Sequence, residues 1–144
     1  MSERNKAIVI KFIEAFSVGD AVTAESCLTK DAVTFAKGFG KLSGPRPYDI
    51  IVATTGAFKE LIPTGLRPSF KNVVAERDQV VVEFEGDAVL ANGERYCNQY
   101  CMTFTLIDEK ISRVNEYYCT ILADDKILPL LAEVEARRHR IANE

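Results

Sequence analysis

Residues 79–107, QVVVEFEGDAVLANGERYCNQYCMTFTLI, hold two alternating runs on either side of Asn92-Gly93, and the way these runs pair decides the fold. Asn-Gly accepts the positive φ values of a type I′ turn, so Ala91-Asn92-Gly93-Glu94 predicts a two-residue hairpin in which Ala91 pairs with Glu94. Counting back from that turn sets Val89 opposite Tyr96, Asp87 opposite Asn98, Glu85 opposite Tyr100 and Glu83 opposite Met102, all on one face. The other face then carries Val80, Val82, Phe84 and Ala88 against Arg95, Cys97, Gln99, Cys101 and Thr103. Both faces come out mixed, which a simple core-versus-solvent sheet does not produce. Tyr96, Tyr100, Met102 and Phe104 form an apolar stripe that calls for helix cover, and in this register they draw Glu83, Glu85 and Asp87 to the same side. An apolar cavity with a few polar groups is the usual make-up of a ligand site. The plainer alternative makes the three carboxylates a solvated strand face. The face with Val80, Val82 and Phe84 suits a dimer interface.

Working outward, Ile8, Phe12, Ala15 and Phe16 recur at helical spacing and predict a helix over about 4–18, stopped by Gly19. Asp20 caps a second, shorter helix through Ala24 to Leu28, followed by extended chain at Ala32 to Phe35. Ala36 to Pro47, with Gly38, Gly40, Gly44, Pro45 and Pro47, reads as a mobile flap. Tyr48 to Ile62 is a third helix, and beyond Pro63 and Gly65 the period changes from helical to alternating. Strands are predicted at about 68–76, 79–90, 94–107 and 110–122, and Pro129 enters a last helix whose turns from Glu133 to Arg140 are charged and solvated. Helices first and strands afterwards is the order of an α+β fold, with helices on one face of a curved antiparallel sheet and a pocket between the layers. The 144 residues suffice for one core and read as a single domain 1–144, with its core at about 5–125 and a helical tail at about 126–144.

The last hairpin admits two registers. A two-residue turn at Asp108-Glu109 puts Tyr117 opposite Tyr100 and Cys119 opposite Asn98. A three-residue turn with Glu109 left-handed at a bulge puts Glu116 opposite Tyr100 and Tyr118 opposite Asn98. One residue of slip decides whether Glu116 faces the pocket.

Composition narrows the function classes. With 47% hydrophobic and 27% charged residues and a net charge of -3, the chain has no basic stripe for nucleic acid, Arg137, Arg138 and Arg140 excepted. No run reaches the roughly 20 apolar residues of a membrane span, and the polar start from Met1 to Lys6 lacks a signal core, so a cytoplasmic protein is expected. Cys27, Cys97, Cys101 and Cys119 are then expected as reduced thiols. The single histidine, His139, lies in the polar tail, which leaves neither a zinc set nor an activated cysteine nucleophile, and no cofactor or metal is expected. Gly38-Phe39-Gly40-Lys41 lacks the glycine spacing and the following Ser or Thr of a phosphate-binding loop.

The first helix with Gly19-Asp20, the Gly-rich loop, Gly93 to Tyr96, Asn98-Gln99-Tyr100, Phe104, Lys110-Ile111 and Glu116-Tyr117 together resemble the SnoaL-like branch of the NTF2-like (ketosteroid isomerase-like) superfamily over about residues 5–125. The resemblance implies a cone-shaped α+β domain, usually a homodimer, that holds a small, largely apolar molecule. It implies nothing as to which reaction, since members include isomerases, cyclases, epoxide hydrolases and dehydratases. In ketosteroid isomerases a tyrosine stands at Phe12, the catalytic aspartate at Ala36 and the oxyanion aspartate at Tyr100, so that machinery is not intact here. In limonene epoxide hydrolases an aspartate, arginine, aspartate set falls on Glu85, Glu83 and Glu116, so the bridging arginine is missing. Many SnoaL-like relatives also carry a histidine at Cys101 and an aspartate at Cys119.

These readings combine into an expected site. Glu116 is the acid or base, Glu85 its partner carboxylate, and Tyr100 a hydrogen-bond donor to a developing oxyanion. Asn98, Tyr96, Glu83, Asp87, Tyr118, Met102 and Phe12 complete it as substrate-binding residues. The expected activity is cofactor-independent isomerase, cyclase or hydrolase chemistry on a small apolar molecule. The alternative is a non-catalytic ligand-binding or dimerisation module of the same fold.

Overall fold

The computed structural model describes residues 2–143. Its elements run α1 (Ser2–Ser17), α2 (Ala21–Ser26), β1 (Leu28–Ala36), β2 (Gly44–Pro47), α3 (Tyr48–Leu61), β3 (Ser69–Glu76), β4 (Gln79–Glu85), β5 (Ala88–Val89), β6 (Arg95–Tyr96), β7 (Gln99–Ile107), β8 (Lys110–Tyr118) and α4 (Thr120–Ala142). Six strands form one sheet in the order β2-β1-β8-β7-β4-β3, and β5 pairs with β6 in a small flap. Every neighbouring pair is antiparallel except β1 with β8, which is parallel, so the curved sheet is mixed rather than purely antiparallel. Three register shifts interrupt the ladders, within β1, β3 and the β7–β8 pair. Bulges of this kind bend a strand and increase its twist, which curls the sheet around its concave face.

The β4–β7 register differs from the expected one by a single residue. Leu90 N–H donates to the Glu94 carbonyl (2.8 Å), and Gly93 N–H donates back to the Leu90 carbonyl (2.9 Å). The loop therefore holds three residues, Ala91 to Gly93, and Gly93 takes the left-handed φ of 89° that closes such a loop. The Asn92 side chain accepts from the Glu94 N–H (3.0 Å), so it stabilises this turn rather than a type I′ turn. Ala88 accordingly faces Tyr96, Phe84 faces Tyr100 and Val82 faces Met102. Because side chains alternate, one residue of slip moves whole rows from face to face. Val80, Val82 and Phe84, expected on an outer dimer face, are instead buried beside Met102 and Phe104. Glu83, Glu85 and Asp87 are turned outward. The slip sorts the mixed faces, since Val80, Val82 and Phe84 now share the concave side with Tyr100, Met102 and Phe104.

At the last hairpin both Asp108 and Glu109 have positive φ (48° and 64°) and form the two-residue turn, closing Ile107 on Lys110. A bulge at Ser112 then adds one residue to β8, so Thr105 pairs with Arg113, Met102 with Glu116 and Tyr100 with Tyr118. Neither expected pairing occurs as such. The turn belongs to the first alternative, while the inward direction of Glu116 belongs to the second.

Helices α1 and α3 cover the concave face, with Val9, Phe12 and Ile13 of α1 and Ile51 of α3 in the main core. A second cluster joins Leu61 and Leu66 to Ala88, Leu90 and Tyr96 of the flap and to Ile127, Leu130 and Val134 of α4. Helix α4 begins at Thr120, earlier than the expected tail, and Pro129 lies inside it rather than at its start. The segment between β1 and β2, expected as a flap, is held on α4: Lys41 N–H donates to both carboxylate oxygens of Asp124 (3.1 Å each). A Cβ on Gly40 would stand 2.8 Å from the Thr120 Cβ, so only glycine fits this approach.

Phe104 is fully buried and meets Phe12 edge-on at 6.2 Å between ring centroids. Phe104→Ala is expected to cost about 3–5 kcal/mol of stability, read as a lowered urea midpoint; a loss below about 1 kcal/mol would mean that the sheet-to-α1 contact does not hold the layers together.

Candidate functional site

The layers enclose a largely apolar cavity of about 150 Å³. Phe12 and Phe16 of α1, Ile51 and Phe58 of α3, and Ile127 and Leu131 of α4 supply much of its apolar wall, and Met102 lies on the sheet side. The polar lining comes mostly from the six-stranded sheet, with Thr34 from β1, Arg46 from β2, Tyr100 from β7, and Glu116 and Tyr118 from β8; Tyr96 comes from β6 of the flap and Thr54 from α3. Inward alternation explains the grouping. Thr34 neighbours Val114, Ala36 neighbours Glu116 and Met102 neighbours Glu116, so Glu116 sits in mid-sheet, away from either open edge.

Burial pushes the Glu116 carboxyl above the usual carboxylate range, against a lesser downward pull from the Arg46 guanidinium and a Thr34 hydroxyl hydrogen bond. The cause is desolvation, not the crowding of like charges expected from Glu85. The three phenols are also pushed up, chiefly by burial. Tyr118 rises to about 12, and Tyr96 and Tyr100, which share a hydrogen bond, rise as well. All three remain protonated donors at neutral pH.

Asn98 is 1% exposed and stands behind this wall. Its Nδ2 donates to the Tyr96 hydroxyl (2.8 Å) and the Cys119 carbonyl (3.1 Å), and its Oδ1 accepts from the N–H groups of Gln99 (2.8 Å) and Cys119 (3.2 Å). With four partners, this amide clamps the β6–β7 break to the start of α4 and positions Tyr96, instead of reaching a substrate as expected.

Of the expected site residues, the cavity thus gathers Glu116, Tyr100, Tyr96, Tyr118, Met102 and Phe12. Glu85 lies on the convex face between Gln99 and Ser69. Glu83, also outward, accepts from Asn72 Nδ2 (3.2 Å). Asp87 is exposed and paired with Arg95 (2.8 Å) and Arg67 (3.5 Å); the Arg95 hydrogen bond chiefly holds its pKa down. The three outward carboxylates share one cause, the extra loop residue at Gly93. Arg46 was missed. Its signal lay in Gly44-Pro45-Arg46-Pro47: prolines at alternate positions suit an edge strand, and the residue between them points to the opposite face. The thiols of Cys27, Cys97, Cys101 and Cys119 are free.

Helices laid over a curved sheet around a largely apolar cavity make up an NTF2-like fold. The sequence matches the SnoaL-like domain family over residues 9–114, and the chain belongs to that family. PrhC from Penicillium brasilianum NBRC 6234 has a similar structure, with a TM-score of 0.75 at 16% identity, covering 92% of this chain and 91% of that one. An NTF2-like protein from Burkholderia xenovorans LB400 gives 0.70 at 19% identity, covering 88% and 97%. TerC, co-crystallised with polyporic acid, gives 0.71 at 17% identity, covering 86% and 98%. At these identities the likeness shows the fold alone. No match was found among curated proteins. No helix among the described residues is long and apolar enough to cross a membrane.

The raised pKa of Glu116 has a signed consequence. A carboxyl that binds its proton more tightly when folded adds stability below its ordinary pKa, and that stability is lost as pH rises through the raised value. Glu116→Gln is therefore expected to gain melting temperature relative to the unaltered protein as pH goes from about 4 to about 8. Parallel melting curves across that range would rule out a raised Glu116 pKa.

Proposed function

We propose that this SnoaL-like protein performs cofactor-independent acid/base chemistry of isomerase, cyclase or hydrolase type on a small, largely apolar molecule, with Glu116 as the proton-transfer group. The observation that carries this reading is a single carboxyl, pushed up by burial, in a cavity otherwise lined by apolar groups, phenols, two threonines and one arginine. A carboxyl with a raised pKa exchanges protons more effectively near neutral pH than an ordinary one. Tyr100 and Tyr118 flank the carboxyl as phenol donors toward an oxygen on which charge develops, and Tyr96 extends the row. Glu116 neighbours Ala36 on the next strand. Ala36 is the position where the family resemblance puts the base of ketosteroid isomerases, so the carboxylate function is carried over from β1 to β8. Glu85 has no part in this scheme.

The reaction tested is base-catalysed exchange: Glu116 removes a proton from carbon next to a carbonyl, the phenols stabilise the enolate, and deuterium is returned from solvent. Cyclohexanone in D₂O, followed by NMR, is expected to exchange its α-hydrogens faster with the protein than in buffer. Glu116→Gln is expected to lower the protein-dependent rate by roughly 100-fold or more, the scale of a lost general base. Equal rates for the two proteins would sink the assignment. The second reading, a non-catalytic small-ligand binder, draws support from the cavity's modest size, which suits a single ring.

The convex face is the proposed homodimer surface. Val74 and Val81 are paired neighbours there, 52% and 36% exposed, and Tyr117 is 49% exposed. Val81→Arg is expected to shift the sedimentation coefficient from dimer to monomer; an unchanged coefficient would move the interface elsewhere.

A further inference from the structure

We infer that Arg46 is an anion anchor, and that the cavity selects ring-sized molecules bearing a delocalised oxyanion, such as a carboxylate, phenolate or enolate, over their neutral counterparts. This rests on reading the cavity as a ligand site but not on Glu116 performing chemistry. Arg46 lines an apolar cavity and belongs to none of the ion pairs among the described residues. Its one side-chain hydrogen bond there runs from Nη2 to the Leu42 carbonyl (2.7 Å), which orients the guanidinium and leaves its other N–H groups for a ligand. Arg46 is half-buried at the cavity wall with no carboxylate at ion-pair distance among the described residues; Glu116 feels its charge from farther off, and a bound anion supplies a close partner.

The rest of the polar lining agrees. The Thr34 hydroxyl donates to Glu116 and the Tyr96 and Tyr100 hydroxyls share one hydrogen bond, which leaves Tyr118 and one proton of the Tyr96–Tyr100 pair to donate to an anion, and Glu116 is the one lining group whose ionised form only accepts. Burial favours its protonated form, which lessens the repulsion it offers an anion. The edge strand that carries Arg46 pairs it with Thr34, so backbone hydrogen bonding to β1 holds the arginine in place. The 150 Å³ of space suits a single planar ring with one small substituent.

The test uses two probes of nearly equal shape, benzoate and benzamide, titrated calorimetrically into the whole protein. The unaltered protein is expected to bind benzoate roughly tenfold or more tightly than benzamide, as a charge-assisted hydrogen bond exceeds a neutral one. Arg46→Gln is expected to weaken benzoate by about 10- to 100-fold and leave benzamide within about twofold, so benzamide binding also reports that the variant is folded. Arg46→Lys, which keeps the charge, is expected to stay closer to the unaltered protein for benzoate than Arg46→Gln does. Glu116→Gln is expected to bind benzoate at least as well as the unaltered protein even though it loses proton exchange, which separates failure of the anchor from failure of the catalytic reading. Absence of binding by both probes, no preference for benzoate, equal losses for both probes in Arg46→Gln, or weaker benzoate binding by Arg46→Lys than by Arg46→Gln would each overturn the assignment.

Discussion

The pairing of β4 with β7 is the constraint on which the rest of the structure depends. Side chains alternate strictly along a strand, so the parity of the connecting loop decides which residues of the two strands share a face. The apolar rows are Val80, Val82, Phe84, Ala88 and Leu90 on one side of the hairpin and Tyr96, Tyr100, Met102 and Phe104 on the other. They meet on one face only if the loop holds an odd number of residues. Gly93 in the left-handed region and the Asn92 side chain on the Glu94 N–H make that odd loop locally stable. Burial of both rows rewards it globally. The same choice expels Glu83, Glu85 and Asp87 to the convex face.

The cavity is consequently left with one carboxyl in place of the several expected. A cluster of carboxylates would have raised a pKa by mutual repulsion; a lone one among phenyl rings and aliphatic side chains is raised by desolvation. The two situations differ chemically. Mutual repulsion leaves a second negative charge in the site, whereas desolvation raises the pKa of a single carboxyl that lies in the field of the Arg46 guanidinium. The site therefore combines one carboxyl with a positive field, and the phenols add polar groups without adding charge. Asn98 serves the same arrangement from outside, since its four hydrogen bonds satisfy the backbone where the sheet breaks and hold Tyr96 in the wall.

The legible parts of the site were those whose direction follows from local apolar alternation. Tyr96, Tyr100 and Met102 belong to one continuous stripe that any register must bury. Phe12 lies on the apolar side of an amphipathic helix. Glu116 and Tyr118 depended on a bulge at Ser112, which the sequence leaves open because a turn and a bulge add residues interchangeably to the register. Arg46 was hidden for a different reason. Glycine and proline on both sides made its segment read as a flexible loop, although two prolines two residues apart are also what an edge strand tolerates.

The amino-acid sequence by itself determined the number and order of the helices, the run of strands after residue 68, the α+β class and the family resemblance. These rest on local periodicity, capping residues and breakers, whose effects are decided within a few residues of chain. The tertiary structure alone decided the two hairpin registers, the parallel pairing of β1 with β8, the inclusion of Arg46 and the exclusion of Glu85. Each of these compares the burial of one whole row of side chains with that of its neighbour, a free-energy difference that exists only once the sheet and its covering helices are together.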